Sequence, residues 1–474
     1  MWMIGPLRMF TIRSLASLAL LAIAPPMRAV AQEHAAVSIT RGGIRVPERY
    51  TQPRGRTITL AYVRLHGSAP SSATPIVYLA GGPGGSGISD MLSARFAPYR
   101  RWLAFADIIA FDQRGTGASS PSLACPGGYR APLDKLQTRA RVLAEYRALA
   151  RSCGAYWRAG GVKLSAYSTE SSADDVAALA RQLGYRRIRL FGASYGSHLG
   201  LSVIRRHPNL VERAVFGAIE GPDDTVKLPA DVDTQLDRVA AVMRKVPAVA
   251  RALPDFAGSM RALIARADRA PLAVGRDQIT GFDLRLLLGG MIGRRGDIEQ
   301  LPALFGPALH GDYDRLAAAV VRDVRQGDVS AMGAVMDCAS SVSARRWATI
   351  ERQVPRSLFG TALDFPLPDW CDAWGIRPLP ASFRSPVVSS VPTLFIAGDL
   401  DGQTPPHNAE EARRGFRNGR LFLVHRAGHD PSLFLSSPGL FDSIAAFMAG
   451  KDTPDRQFDA PELNFSLSST GTIR

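Results

Sequence analysis

The chain has 474 residues, of which 46% are hydrophobic and 21% are charged, and its formal net charge at pH 7 is +15. A chain of this length and composition buries a large core, so we expect one large domain with an insertion, or two domains. The basic residues are spread along the sequence without a clustered stripe or a nucleic-acid-binding motif. We therefore interpret the charge as a solvated surface and predict no nucleic-acid partner.

The N-terminus has the pattern of an export signal. Basic residues precede an apolar segment at residues 15–24, and Ala-Val-Ala at residues 29–31 forms a small-residue cleavage site. We predict that residues 1–31 are a signal peptide and that the mature protein is periplasmic or secreted. An uncleaved anchor is the alternative. No later segment is long and apolar enough to span a membrane, so we predict no transmembrane segment after signal removal.

A glycine-rich loop, Gly-Gly-Pro-Gly-Gly-Ser-Gly at residues 81–87, follows a predicted strand at residues 76–79. No Gly-Lys-Ser or Gly-Lys-Thr follows it, and its spacing is not that of a dinucleotide-binding loop, so nucleotide binding is not expected. In serine hydrolases a loop at this place supplies one backbone N–H of the oxyanion hole, and we assign that N–H to Gly82. A flexible surface turn is the alternative.

The next motif is Gly-Ala-Ser-Tyr-Gly at residues 192–196, directly after an apolar segment at residues 188–191. The pattern Gly-x-Ser-x-Gly at the end of a strand is typical of a nucleophile elbow, in which glycines allow a sharp turn between a strand and a helix. We predict Ser194 as the nucleophile. The backbone N–H of Tyr195, the following residue, is the predicted second donor of the oxyanion hole.

Candidates for the acid and the base follow two later apolar segments. Residues 391–397 read as a buried strand that runs into the loop containing Asp401, and residues 421–424 lead to His429. The order serine, aspartate, histidine is that of an α/β-hydrolase. A neutral imidazole within hydrogen-bond reach accepts the serine proton, and a buried carboxylate holds the ring in the required tautomer.

For each of these two residues, a second candidate for the same catalytic role lies nearby in the sequence. Asp399 is the alternative acid, unless it only caps backbone donors of its loop. His425 is the alternative base, but it lies within or beside its strand, where we expect it to pack or to form hydrogen bonds. We therefore predict that Ser194, Asp401 and His429 form the triad.

The chain has four cysteines, an even number that allows three connectivities in an oxidising compartment. The local pairs Cys125–Cys153 and Cys338–Cys371 close loops of similar size, and we predict these two disulfides. Buried free thiols are the alternative. The cysteine spacings are not those of a zinc site, and we predict neither a metal nor a cofactor.

Strands before Pro222 and after Ser390 carry all of the motifs, whereas residues 222–385 have helical periodicity. We therefore predict an α/β-hydrolase fold, with a mostly parallel central sheet flanked by helices and a helical cap domain inserted before the last core strands. The predicted segments are a signal peptide at 1–31, a first core part at 32–221, a cap at 222–385, a second core part at 386–450 and a C-terminal tail at 451–474.

Five segments together resemble the prolyl iminopeptidase and tripeptidyl aminopeptidase branch of serine α/β-hydrolases. They are residues 81–85, 112–119, 192–196, 398–405 and 428–429. Residues 43–50 and 220–225 are also similar to exported members of the tripeptidyl aminopeptidase type. The similarity extends over nearly all of the mature chain.

Two residues depart from the family pattern. Ala80 stands where prolyl iminopeptidases usually have histidine, which indicates the tripeptidyl or general aminopeptidase group rather than a strict proline iminopeptidase. Asp430 follows the predicted catalytic histidine, where family members often have glycine. Neither departure removes a predicted catalytic group.

The resemblance implies an exported serine peptidase that releases short peptides or amino acids from peptide N-termini through an acyl-enzyme. Such an enzyme binds a free α-ammonium group, which requires carboxylates at the closed end of its pocket. The candidates are Glu220, Asp223 and Asp224, and we favour Glu220 because it lies nearest to the end of its strand. Helix capping or surface solvation is the alternative role for each of them.

Two other functions stay open at this point. The triad and the oxyanion hole do not distinguish an ester from an amide, so an esterase or amidase for a small molecule is the alternative activity. A non-catalytic binding protein on the same scaffold is the alternative from another class, although the retained triad and oxyanion loops argue against it. The predicted partner is a peptide or small-molecule substrate, and the sequence predicts no particular oligomeric state.

Overall fold

The computed structural model describes residues 37–68, residue 70 and residues 73–467. The predicted signal peptide lies outside the described residues. A helix both long enough and apolar enough to cross a membrane is absent from the described part of the chain.

A large, mostly parallel sheet forms the centre of the described structure. The strands in chain order are β1 (Ile39–Pro47), β2 (Thr57–Leu65), β3 (Ile76–Leu79), β4 (Ile108–Phe111), β5 (Ala124–Arg130), β6 (Ile188–Ser194), β7 (Val211–Ile219), β8 (Leu272–Val274), β9 (Asp277–Ile279), β10 (Gln326–Ser330), β11 (Thr393–Gly398), β12 (Gly419–His425) and β13 (Arg456–Asp459). Nine of them form one sheet in the order β1, β2, β4, β3, β6, β7, β11, β12, β13. The pairs β1–β2 and β2–β4 are antiparallel and the remaining neighbours are parallel, as predicted.

Helices cover this sheet. In chain order they are α1 (Gly87–Leu92), α2 (Arg139–Ala159), α3 (Thr169–Gln182), α4 (Tyr195–Arg206), α5 (Pro229–Arg244), α6 (Pro247–Ala252), α7 (Phe256–Arg269), α8 (Gly281–Met291), α9 (Arg295–Leu309), α10 (Asp314–Asp323), α11 (Ala331–Ser340), α12 (Ala344–Gln353), α13 (Cys371–Trp374), α14 (Pro406–Arg414), α15 (Ser432–Leu435) and α16 (Pro438–Met448). Further 3-10 helices lie at Ala94–Ala104, Leu164–Ala166, Val354–Arg356, Ala362–Asp364 and Ala381–Arg384. Helix α4 packs on β6 and β7, and α14 packs on β11 and β12.

Three central strands of the sheet are buried along their whole length. Every residue of β3, β4 and β11 is buried. Parallel strands covered on both faces have continuous apolar sequences rather than alternating ones, which is why β3 and β11 could be recognised from the sequence. Strand β3 has the predicted bounds, whereas β11 begins at Thr393, two residues later than predicted.

Residues 222–385 contain α5 to α13, in agreement with their helical periodicity. The apolar side of α5 is buried in a hydrophobic core that it shares with α7, α8 and α9. The segment also contains strands that the sequence did not predict, because β8 and β9 form a hairpin and β10 pairs with β5. The β5–β10 pairing attaches this mainly helical segment to the first part of the core.

The chain after residue 450 adds the last strand of the sheet. Strand β13 pairs in parallel with β12, and the rings of Phe422 and Phe458 are 5.1 Å apart. Beyond β13 the chain runs along α9, where Asn464 N donates to Glu299 Oε1 at 2.9 Å and Ser466 N donates to Glu299 O at 2.9 Å. The predicted tail is therefore in contact with both the core and the cap over its described part.

Both predicted disulfides are confirmed. Cys125–Cys153 joins β5 to α2, and Cys338–Cys371 joins α11 to α13. The second bond closes a segment whose middle part, residues 354–370, has only 3-10 helices and turns. A covalent link across such a segment stabilises the fold mainly by restricting the unfolded chain.

Replacing Cys338 and Cys371 together with serine is expected to lower the free energy of unfolding by about 3 kcal/mol. Equilibrium unfolding in guanidinium chloride measures the change. The double serine variant of Cys125 and Cys153 is the matched control, since the two sequence separations are 33 and 28 residues. The entropy model then predicts losses that agree to within about 0.5 kcal/mol. An unchanged unfolding midpoint in either variant would contradict the role assigned to that bond.

Candidate active site

The predicted nucleophile lies at a sharp turn between β6 and α4. Ser194 is the last residue of β6 and has a φ of 56° and a ψ of −130°. A positive φ is strained for a residue with a side chain and persists only where the surrounding structure enforces it. Gly196 permits α4 to begin directly after the strand, because an ideal Cβ there would lie 2.2 Å from the carbonyl oxygen of Leu79.

A hydroxyl group behind this turn connects it to the next strand. Ser197 Oγ donates to Ser194 O at 2.6 Å and accepts from Glu220 N at 2.9 Å. Glu220 directly follows β7, which pairs with β6 in the sheet. The two hydrogen bonds therefore fix the backbone of the predicted nucleophile relative to the backbone of Glu220.

The glycine-rich loop after β3 runs beside Ser194. An ideal Cβ on Gly81 would lie 3.5 Å from Cβ of Ser194, and Gly82 has a φ of 121°, a conformation that favours glycine. Tyr195 is the first residue of α4, and the N–H groups in the first turn of a helix have no acceptor within that helix. Tyr195 thus directly follows Ser194 in the chain, and Gly82 lines the same cavity as Ser194.

Side chains from the segment after β4 hold the glycine-rich loop at residues 81–87. Asp112 Oδ1 accepts from Ser86 Oγ at 2.7 Å and from Ile88 N at 3.1 Å. Gln113 Nε2 donates to Ala80 O at 3.0 Å. Asp112 and Gln113 are both buried, so these contacts position the loop without facing solvent.

The predicted acid and base form a hydrogen-bonded pair. His429 Nδ1 lies 2.9 Å from Asp401 Oδ2. Asp401 is fully buried, and its carboxylate also accepts from Gln403 N at 2.9 Å, Thr404 N at 2.8 Å and Thr404 Oγ1 at 2.7 Å. These bonds fix the carboxylate, and the contact at Nδ1 leaves Nε2 of a neutral ring as the proton acceptor.

The alternative acid and base, Asp399 and His425, form a second hydrogen-bonded pair with each other. His425 Nδ1 lies 2.9 Å from Asp399 Oδ2, and His425 Nε2 lies 3.3 Å from Gln457 Oε1 of β13. The hydrogen bond that the His425 ring donates to the Asp399 carboxylate raises the pKa of His425. This pair is directed towards the last strand of the sheet, whereas residues of the Asp401 loop line the same cavity as Ser194.

Ser194 lines a cavity of about 880 Å³ together with Gly82 and Pro83 of the glycine-rich loop. Its other walls come mainly from α8, α9, α10 and α11 of the predicted cap, and Phe365 and Trp370 add aromatic surface. The volume lies within the range of ligand pockets, and it is larger than a single small side chain of a bound substrate would fill. No group of three or more histidine, cysteine, aspartate or glutamate side chains suited to a metal ion occurs among the described residues.

One part of this cavity, which we call the acidic end, contains Glu220, Asp337, Asp364 and Lys227. Lys227 Nζ lies 3.4 Å from Glu220 Oε2, and Lys227 N donates to Asp364 Oδ2 at 2.7 Å. Asp337 interacts electrostatically with the other three side chains. Three carboxyl groups therefore face one ammonium group.

Burial changes the protonation of the acidic end. Burial and, after it, the charge of Glu220 raise the pKa of Asp337. Burial raises the pKa of Asp364 to about 6, against the opposing effect of Lys227. Burial disfavours the charge on Lys227, but Glu220 and the neighbouring aspartates outweigh burial and raise the pKa of this lysine. Carboxyl groups with raised pKa values that line a cavity are typical of functional sites.

The other two candidate carboxylates are engaged elsewhere. Asp223 accepts from Ser343 N and from Ser343 Oγ, both at 2.6 Å, at the start of α12. Asp224 forms an ion pair with Arg346 at 2.8 Å. Of the three carboxylates that the sequence suggested, Glu220 is the one that the structure brings to the cavity of the predicted nucleophile.

Sequence reasoning missed Lys227, Asp337 and Asp364. Asp337 lies on α11 and Asp364 in a 3-10 helix, so both are far from Glu220 along the chain and no motif joins them. The one local signal is the position of Asp337 beside Cys338, a cysteine whose predicted disulfide fixes the helix in place. That signal alone did not indicate a charged group in a cavity.

Replacing Asp364 with asparagine is expected to stabilise the protein more at pH 7 than at pH 4. Folded Asp364 holds its proton up to a pKa of about 6, whereas the unfolded chain loses that proton near a pH of about 4. The folded state binds more protons between these values, so this group lowers the free energy of unfolding as the pH rises. Urea unfolding should give effects of the substitution that differ by about 2 kcal/mol between the two pH values. A pH-independent effect would contradict this assignment.

The comparisons with known proteins agree with the fold and the motifs. The family model of the alpha/beta hydrolase fold matches residues 74–434. Tripeptidyl aminopeptidase of Streptomyces coelicolor is 25% identical over 461 residues, which cover 87% of this chain and 82% of that protein. Tripeptidyl aminopeptidase of Streptomyces lividans is 25% identical over 452 residues, with 86% and 81% covered. Serine protease Hip1 of Mycobacterium tuberculosis is 26% identical over 197 residues, with 39% and 37% covered.

The family model spans most of the chain, and the relatives confirm the resemblance to tripeptidyl aminopeptidases that the sequence motifs indicated. The mostly parallel sheet flanked by helices agrees with the predicted fold class. The protein therefore belongs to the α/β hydrolase fold family.

Proposed function

We propose that the protein is a serine peptidase that releases short peptides or amino acids from substrates with a free N-terminus. The observation that carries the proposal is the cavity, in which Ser194 and the carboxyl groups of the acidic end line the same space. A nucleophile that shares a pocket with several carboxyl groups suits a substrate whose ammonium group lies near the scissile bond. The named relatives, two tripeptidyl aminopeptidases and a serine protease, support the same function.

In the proposed mechanism, Ser194 Oγ attacks the scissile carbonyl carbon while His429 Nε2 accepts the hydroxyl proton. Asp401, hydrogen-bonded to Nδ1 of the histidine, stabilises the imidazolium that results. The backbone N–H groups of Gly82 and Tyr195 bind the oxyanion of the tetrahedral intermediate. The imidazolium then protonates the leaving amine and the acyl-enzyme forms. Water attacks the acyl-enzyme by the same route and restores the serine.

The substrate's ammonium group would supply a second positive charge to the acidic end, in addition to that of Lys227. Lys227 faces three carboxyl groups, and buried charges are stable only when they are paired and hydrogen-bonded. A second cation beside Glu220 and Asp337 would complete the pairing. The cavity volume of about 880 Å³ leaves room for more than one residue of substrate, which supports the release of short peptides.

We also propose that the protein acts outside the cytoplasm, after removal of residues 1–31. The two disulfides support this compartment, since such bonds are rare where thiols are kept reduced. In the same proposal the cap, residues 222–385, restricts access to the nucleophile, because its helices form the cavity walls. Restricted access suits a flexible peptide better than a folded protein.

Ser194→Ala and His429→Ala are expected to lower kcat for a peptide anilide by at least about a thousandfold, because removing a triad member leaves only the oxyanion hole and substrate binding. Thermal unfolding should show that both variants fold. Asp401→Asn should also cause a severe loss. Asp399→Asn, which alters the other aspartate–histidine pair, is the matched control and should stay close to the wild-type kcat. A larger loss in the control than in Asp401→Asn would identify Asp399 as the acid.

Acetylating the N-terminus of a peptide substrate is expected to lower kcat/KM at least about tenfold, because the acidic end then loses its counter-charge. Glu220→Gln and Asp337→Asn should reduce this discrimination. Both variants should change the hydrolysis of a short acyl ester much less, because the ester uses the same triad without an ammonium group.

Asp328→Asn is the control for this experiment. Asp328 lines the same cavity, but its side chain is 94% exposed and it should not contribute to ammonium binding. Equal kcat/KM values on free and acetylated peptides would remove the aminopeptidase function and leave an esterase or amidase. Equal losses of Glu220→Gln on peptides and esters would instead assign Glu220 a structural role.

A further inference from the structure

The loops that carry Asp401 and His429 both contact one short segment of the cap. This segment consists of residues 292–294, between α8 and α9, and the first residue of α9, Arg295, and we call it the cap turn. His429 N donates to Gly293 O at 2.7 Å. Arg295 N donates to Asp430 Oδ2 at 2.6 Å. Two successive residues of the histidine loop are therefore hydrogen-bonded to the cap turn.

The fit between the histidine loop and the cap turn leaves no space for a side chain. An ideal Cβ on Gly428 would lie 2.8 Å from Arg295 N and 2.9 Å from Gly293 O. The residue before His429 thus rests directly on the backbone of the cap turn. Two backbones in such contact cannot shift independently, because a packed interior deforms little.

Gln235 of α5 connects the same turn to the loop of the acid. Its Nε2 donates to Ile292 O at 2.7 Å and to Leu400 O at 2.8 Å. Leu400 directly precedes Asp401, and Gln235 and Leu400 are both buried. The acid and the base are therefore attached to one cap segment by separate hydrogen bonds.

Asp430 is one of the two residues at which the sequence departs from the family pattern. Helix α9 begins at Arg295, and its N-cap residue, Arg294, makes no capping bond with its side chain. Asp430 supplies that bond from outside the helix, while its second oxygen accepts from Ser432 N at 2.8 Å. A carboxylate at a helix N-terminus is favoured both by the hydrogen bond and by the helix dipole. Aspartate in place of glycine thus adds a link between the histidine loop and the cap.

The start of the histidine loop is strained and is held by the same helix. Arg426 has a φ of 61°, which persists only where neighbouring groups enforce it. Arg295 donates from its guanidinium group to Arg426 O at 3.1 Å and to Pro461 O at 2.6 Å. The first residue of α9 therefore holds the loop before His429 and the chain after β13 together.

We propose that Asp430 and Gln235 are positioning residues, which hold His429 and Asp401 in place through the cap turn. The inference rests on the proposed triad. Misplacing a catalytic group by about 1 Å costs about a hundredfold in rate. Neither residue is among the described residues that line the Ser194 cavity. Their loss should therefore lower kcat and leave KM little changed.

The first test is Asp430→Ala, with Asp430→Asn as a milder variant that keeps one acceptor oxygen. In Asp430→Ala, kcat is expected to fall between about tenfold and a hundredfold for both a peptide anilide and a short acyl ester. The rate at which diisopropyl fluorophosphate labels Ser194 should fall by a similar factor, because labelling depends on the triad and not on ammonium recognition. Asp430→Asn should lie between the wild type and the alanine variant.

Asp255→Ala is the matched control. Like Asp430, Asp255 is a carboxylate at the N-terminus of a cap helix, where it accepts from Gly258 N of α7 at 2.9 Å. Its loss should lower thermal stability, as the loss of Asp430 does, and should leave kcat and the labelling rate unchanged. Gln235→Leu tests the acid side of the same turn and should lower kcat in the manner of Asp430→Ala.

Each outcome decides the proposal. Wild-type kcat and labelling rates in folded Asp430→Ala and Gln235→Leu would overturn the positioning role while leaving the proposed function intact. A loss of kcat in Asp255→Ala as large as in Asp430→Ala would attribute the effect to general weakening of the cap, and would also overturn it. If Asp430→Ala does not fold, Asp430→Asn and Gln235→Leu decide by the same criteria. Undiminished activity of Ser194→Ala would overturn the proposed function, and the positioning role with it.

Discussion

Close contact between the start of α4 and the end of β3 is the constraint on which the candidate site depends. An ideal Cβ on Gly196 would lie only 2.2 Å from the carbonyl oxygen of Leu79. This close approach brings the turn at Ser194 against the glycine-rich loop that follows β3. Strand β6 pairs with β3 on one side and with β7 on the other, so the sheet enforces the strained φ of the serine. Ser197 Oγ extends the same arrangement to Glu220. The backbone strain at Ser194 and the position of the acidic end therefore have one structural cause.

Part of the pattern that indicated the family supports the scaffold rather than the chemistry. Arg114 is fully buried, and it donates to both carboxylate oxygens of Asp175 at 2.7 Å and to Glu48 O at 2.8 Å. Removing one partner of a buried ion pair typically costs about 3 to 5 kcal/mol, because the other charge is left unpaired. The hydrogen bond from Arg114 to Glu48 O joins the motif at residues 112–119 to the motif at residues 43–50. Two segments that are far apart in the sequence are thus hydrogen-bonded to each other beside the glycine-rich loop.

Sequence patterns predicted the features that adjacent residues determine and missed those in which distant segments meet. The elbow at residues 192–196 could be found because a strand, two glycines and a serine are neighbours in the chain. The disulfides could be paired because each closes a local loop. The β5–β10 pairing was missed because its strands are far apart and the Cys-Pro-Gly-Gly stretch of β5 lacks the alternation and β-branched residues of a typical strand. Asp337 and Asp364 were missed for the same reason, since only the folded cap brings them to Glu220.

The acidic end is a destabilising feature that the surrounding cap has to hold together. Burial raises the pKa values of Asp337 and Asp364, so ionising these groups costs more in the folded chain than in the unfolded one. Such groups persist where binding rather than stability requires them. The disulfide at Cys338 adjoins Asp337 and ties its helix to α13, beside Trp370 of the cavity wall. The covalent bond therefore holds the wall of the cavity at the place where buried carboxyl groups weaken it. In the proposed peptidase, a bound ammonium group offsets the cost of ionising these carboxyl groups, so the substrate itself stabilises the acidic end.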